Sequence, residues 1–147
     1  MKKIAVLSIC LMVVFSLSFI TSAAAASAEE DALQVLTTFV KAINDNDPDT
    51  LSSLWHQGPN TTTFGPWGRF LKHEWLTNPP PGVSFALNYP EVNLLGDNVA
   101  VLTCYFTLTT FNEETGDMKT EYLRETLVVQ KIQKKWLIVH EHSSYQP

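Results

Sequence analysis

Apolar residues recur at spacings of three and four from Ala32 through Val35, Leu36, Phe39, Val40 and Ile43. This rhythm predicts an amphipathic helix over residues 29–45, closed by Asn44-Asp45-Asn46. Asp47-Pro48 then reads as an N-cap followed by proline at the first helical position. The short helix it opens carries Leu51, Leu54 and Trp55, and Gly58-Pro59-Asn60 breaks it. Residues 61–68 predict a short strand and a turn, and residues 70–76 a further short helix before Pro79-Pro80-Pro81-Gly82. From Val83 onward the period drops from 3.6 to 2. Residues 83–88, 91–95, 98–111, 119–132 and 135–143 become strands, divided by turn signals at Tyr89-Pro90, Gly96-Asp97-Asn98, residues 112–117 and Gln133-Lys134. Helices followed by a long antiparallel meander imply an α+β fold, with the helices covering one face of a curved sheet.

Alternation assigns faces to the long strands. Leu102, Cys104, Phe106 and Leu108 share a side, as do Leu123, Glu125, Leu127 and Val129. On the last strand Leu137, Val139, Glu141 and Ser143 alternate with Trp136, Ile138, His140 and His142. Neither side of that strand is polar through its middle, so both sides of the sheet want cover. Helices can supply one side; a sheet-to-sheet dimer contact is the expectation for the other.

The first residues bear on the compartment. Met1-Lys2-Lys3, an apolar run over residues 4–20 and the small-residue stretch ending in Ala26-Ser27-Ala28 read as a secretory signal peptide cleaved after Ala28. An uncleaved anchor is the rival, and the cleavage motif favours removal. Residues 29–147 would then form one exported domain, periplasmic or secreted, with no membrane contact after cleavage. The chain carries a formal net charge of −5, and losing Lys2 and Lys3 makes it more acidic. That balance disfavours nucleic acid and anionic membranes as partners. Only Cys104 remains after cleavage, so the domain stands without an intramolecular disulfide.

The residues Pro90 to Asp97, Glu125-Thr126 and Trp136 to Ser143 resemble the SnoaL-like group of nuclear transport factor 2-like domains. Within that group they are most similar to the association domain of calcium/calmodulin-dependent protein kinase II. The helix order and the Phe64-Gly65-Pro66 segment agree, so the resemblance spans nearly all of residues 29–147. It implies a cone-shaped α+β half-barrel with a pocket between the helices and the concave face of the sheet, and a homo-oligomer. Fold alone does not give function, because this superfamily holds enzymes, binding modules and assembly modules alike. The kinase domain lines its pocket with arginines, and the matching positions here are Phe106, Leu127 and Ser143. The resemblance therefore implies a largely apolar pocket with carboxylates near its rim. The D-G turn common before the last strand is Gln133-Lys134 in this chain, which leaves the register of the final hairpin open.

Candidate chemistry follows from these placements. His140 and His142 point the same way, but two ligands do not complete a metal site. They are expected to be architectural, on the side away from the pocket, and neither metal nor cofactor is expected. Glu125 and Glu141, desolvated in an apolar cavity, would be candidates for a general acid or base. The ligand-binding candidates are Trp55, Trp67, Phe106, Leu127, Glu141 and Ser143, with Arg69, Lys72 and His73 near the mouth. Trp136 and Cys104 read as core. The leading expectation is a dimer binding a small apolar or aromatic molecule. A proton-transfer enzyme (isomerase, dehydratase or hydrolase) and an oligomeric assembly module are the alternatives.

Overall fold

The computed structural model describes residues 27–59, 61–65, 68–69 and 82–146. The expected helix over 70–76, Trp67 and the side chains of Arg69, Lys72 and His73 lie outside them. Helix α1 spans 27–44, within two residues of its expected bounds. It buries Ala32, Val35, Leu36, Phe39 and Ile43, which its periodicity selects, and Ala42 in addition, while the expected Val40 is only partly buried. Removing large aliphatic or aromatic side chains of this kind from water contributes about 1.5–3 kcal/mol each. Asn46, with φ of 53°, ends the helix in the left-handed region that asparagine tolerates. The Asn44 side chain then acts as one more rung of the sheet. Its Nδ2 donates to the Phe85 carbonyl at 2.9 Å, and its Oδ1 accepts from the Phe85 N–H at 2.7 Å.

Helix α2 (Pro48–Ser53) begins as its sequence predicts, with the Asp47 carboxylate accepting from Thr50 N at 3.0 Å and proline in the first turn. It stops one turn earlier than expected. Trp55 is not helical: it bridges Ile138 in parallel, with Ile138 N donating to the Leu54 carbonyl and His56 N to the Ile138 carbonyl. The chain thus leaves α2 already stitched to the last strand.

Among the described residues six strands follow: β1 (Thr62–Gly65), β2 (Gly68–Arg69), β3 (Val83–Leu94), β4 (Val99–Phe111), β5 (Met118–Ile132) and β6 (Lys135–Tyr145). They form one curved, unclosed sheet in the order β2-β1-β6-β5-β4-β3. All neighbours are antiparallel except β1 and β6, which run parallel. Tyr89-Pro90 is a bulge rather than the expected turn. Asn88 faces Tyr105 and Glu91 faces Thr103, so β3 carries one extra residue there and continues as a single strand. Proline fits because β3 is the sheet's edge.

A second bulge corrects the face assignment on β6. Val129 pairs with Ile138 and Val128 with His140, leaving Val139 as the extra residue. Before it, Trp136 and Ile138 point inward and are buried; after it, Glu141 and Ser143 take the inward side. The run of apolar residues on both parities of this strand is the trace of that switch.

Gln133 and Lys134 form the two-residue turn between β5 and β6 with φ of 50° and 69°. Positive φ at both positions is the geometry that Asn-Gly adopts with least strain. The double variant Gln133→Asn, Lys134→Gly is expected to gain about 1–2 kcal/mol of stability, read as a rise in the thermal midpoint. An unchanged or lower midpoint would contradict this turn geometry.

Candidate functional site

The inner face of the sheet is built in transverse rows. Phe106 and Leu123 face one another across β4 and β5, and Tyr145 adjoins Leu123 from β6. In the next row Cys104 faces Glu125, which faces Ser143. Beyond it Leu102 faces Leu127, Leu127 faces Glu141, and Glu141 pairs in parallel with Thr63 of β1. Glu125 and Glu141 are therefore diagonal neighbours on one face, a separation of about 7–8 Å that glutamate side chains readily span.

These rows differ in depth. Phe106 is 1% exposed, stacked on Phe39 of α1 at 6.1 Å and edge-on to Phe85 at 5.3 Å. It belongs to the packed core, as does Leu127. Trp55 and Trp136 are buried as well, each with its indole N–H unpaired among the described residues. Lys131 lies over the Trp136 ring at 5.6 Å. Glu125 is 4% exposed and its Oε1 has no hydrogen-bond partner among the described residues. Ser143 is buried beside it, while Glu141 is half-buried. The acidic pair thus runs from the interior toward the rim.

Burial shapes the chemistry of these groups. Desolvation pushes the Glu125 carboxyl well above its ordinary range, the Glu141 charge adds to this, and a Ser143 hydrogen bond opposes it. Desolvation likewise pushes Glu141 up, to about 7. The Cys104 thiol is pushed up to about 12, by burial first and by Glu125 second, which makes it a buried hydrophobe rather than a nucleophile. Two carboxyls so placed do not both ionise readily, so near neutral pH the pair retains a proton.

The linkage has a definite sign. Both folded-state carboxyls titrate above 4.5, so their stabilising contribution is fully present below that pH. It is lost as pH rises, through about 7 for Glu141 and through the likewise raised pKa of Glu125. The isosteric variant Glu141→Gln is expected to flatten the fall in stability between pH 5 and pH 8 by ~2 kcal/mol, allowing for its partial exposure. Urea denaturation at the two pH values reads this directly; parallel pH profiles for variant and parent would contradict it.

The outer face carries different residues. His140 and His142 lie there, with the Thr62 hydroxyl 2.7 Å from His140 Nδ1 and the Phe64 ring 6.2 Å from that imidazole. The His140 side chain ties β1 to β6, in line with the architectural role expected for it. Around them lie Val101, Thr103, Tyr105, Thr107, Tyr122, Thr126 and Val128. Tyr89 is 81% exposed, Tyr122 56%, Phe64 46% and Tyr105 41%. Sequence reasoning placed the carboxylates and histidines on their correct faces. It missed the Thr63 row, which only the pairing of β1 with β6 reveals, and the unpaired Glu125 oxygen.

Comparison with known proteins agrees with this architecture. The profile of the calcium/calmodulin-dependent protein kinase II association domain matches residues 28–147. The calcium/calmodulin-dependent protein kinase type II of Caenorhabditis briggsae is 30% identical over 134 residues, covering 81% of this chain and 23% of the kinase. The chain thus spans less than a quarter of that relative's length. A nuclear transport factor 2-like superfamily protein of Salmonella enterica superposes with a TM-score of 0.74 at 20% identity, covering 84% of this chain and 94% of that one. The CaMKII hub of S. rosetta superposes with a TM-score of 0.65 at 25% identity, covering 80% and 96%. An α+β half-barrel with this strand order, matched by the profile over residues 28–147, belongs to the calcium/calmodulin-dependent protein kinase II association domain family.

Proposed function

We propose that this chain is a self-associating module that forms a homo-oligomer through the outer face of its sheet. The observation that carries the proposal is the composition of that face. Threonine, valine and tyrosine are its commonest described side chains, with Glu91, Arg124 and Lys135 as the formal charges among them. A broad, weakly charged face left open on a sheet is suited to sheet-on-sheet packing, with its aromatics as anchors. Family membership supports the same reading, since relatives include an association domain and a hub. Native mass spectrometry under gentle activation tests it: a discrete multiple of the protomer mass is expected, and monomer alone would contradict it.

A second reading concerns the inner face, where a small apolar or aromatic molecule would be held at the end bearing Glu125, Glu141 and Ser143. The buried, unpaired Glu125 oxygen favours it, because such a group ordinarily finds a partner. A retained small-molecule adduct in the same spectrum would support it. The N-terminal leader completes the proposal. The chain is exported and its mature form begins after Ala28, which N-terminal sequencing of the natural protein tests; an intact Met1 would contradict it.

A further inference from the structure

We propose that the inner-face carboxyl pair Glu125–Glu141, with Ser143 beside it, is a binding site for a primary ammonium group on a small apolar body. This rests on the reading of the inner face as a ligand pocket and adds the charge and class of the ligand. Three features of the site select that chemistry.

The first is an unmet acceptor. Glu125 is almost fully buried, and its Oε1 has no donor among the described residues. Leaving such an atom unpaired costs about 1–3 kcal/mol, more when the group is charged. A ligand that supplies a donor recovers that cost.

The second is charge. The described cations on the inner side are engaged elsewhere: Lys119 pairs with Glu121 at 2.9 Å, and Lys131 lies over Trp136. Neither reaches the row that holds Glu125. A carboxyl pair that keeps one shared proton carries about one negative charge, which a monocation neutralises. An anionic ligand would add like charge to a site already short of solvent.

The third is shape and donor number. An ammonium group offers three donors and no acceptor. The site offers a carboxylate oxygen at depth, a second carboxylate toward the rim and the Ser143 hydroxyl in between. Leu102 and Leu127, both fully buried, flank these groups and make their surroundings apolar. A metal ion is a poorer fit. Two carboxylates fall short of the oxygen shell that hard cations require, and no described group of three or more His, Cys, Asp or Glu is placed to hold one. The half-buried Glu141 gives the entering cation its first contact, and Glu125 takes it at depth.

The test is calorimetric titration of the purified protein with benzylamine, benzyl alcohol and benzoate at equal ionic strength, pH 8. Benzylamine is expected to bind at least tenfold more tightly than benzyl alcohol, and benzoate not measurably. Glu125→Gln and Glu141→Gln should each erase the preference for the amine, while Glu91→Gln, an exposed change on the other face, should leave it intact. Circular dichroism establishes that each variant is folded, and Glu141→Gln, nearer the rim, keeps the test open if Glu125→Gln misfolds. Equal binding of amine and alcohol would overturn the proposal while leaving a neutral-ligand pocket standing. No binding of any probe would overturn both. A preference unchanged in the two variants, or lost in Glu91→Gln, would show that the amine responds to the protein's overall acidity rather than to this pair.

Discussion

Replacing Phe106 with alanine is expected to lower folding stability by about 3–5 kcal/mol. Its ring is the junction of the helix layer and the sheet, stacked on Phe39 and meeting Phe85 edge-on, with 1% of its surface exposed. Truncation would empty a volume enclosed on both sides by rings that cannot close over it without leaving their rotamers. Against a typical total of about 5–15 kcal/mol, that loss brings the domain close to unfolding. Phe106→Leu keeps most of the volume and should cost much less, on the order of 1–1.5 kcal/mol. Urea denaturation of the two variants separates a core residue from a ligand wall. A ligand wall would lose binding with its midpoint almost unchanged, and that result would contradict the packing described.

The second large effect belongs to the outer face. Val128 sits near its middle, opposite Val101 on β4 and His140 on β6. Val128→Asp places a carboxylate where two sheets would meet without water. An unpaired charge buried in that way costs several kcal/mol, so the dissociation constant of the assembly should rise by about 100-fold or more. The protomer should remain folded, because Val128 contributes little to the helix-covered core. Light scattering is expected to show the variant at protomer mass with an unchanged far-ultraviolet spectrum. An assembly that survives the substitution would place the interface elsewhere.

Much of this architecture is written in local patterns. The inward set of α1, the Asp47 cap and the alternating faces of β4 and β5 follow from periodicity and turn chemistry. What local pattern does not carry is the count of residues across a pairing. The bulge at Val139 exchanges the inward parity of β6, so Trp136 and Glu141 lie on one face although they stand an odd five positions apart. Nothing within the strand itself fixes that; the neighbouring β5 does. Tyr89-Pro90 misleads for a related reason. The same two residues can turn a chain or bulge an edge strand, and only the continuation of pairing from Val92 to Leu94 decides between them. Trp55 leaves its expected helix because a β-bridge to Ile138 competes with the last helical turn. Glu125 and Glu141 were visible as inward carboxylates, yet their diagonal contact across β5 and β6 depends on the register after the bulge.

Self-association through the outer sheet face is the central claim, and hydroxyl-radical footprinting of its tyrosines tests it most directly. Tyr105 and Tyr122 are open to solvent in the single chain. In the assembled protein both are expected to be protected, and in Val128→Asp both should label as freely as an unhindered tyrosine. Equal labelling of the two proteins at every concentration would contradict the account.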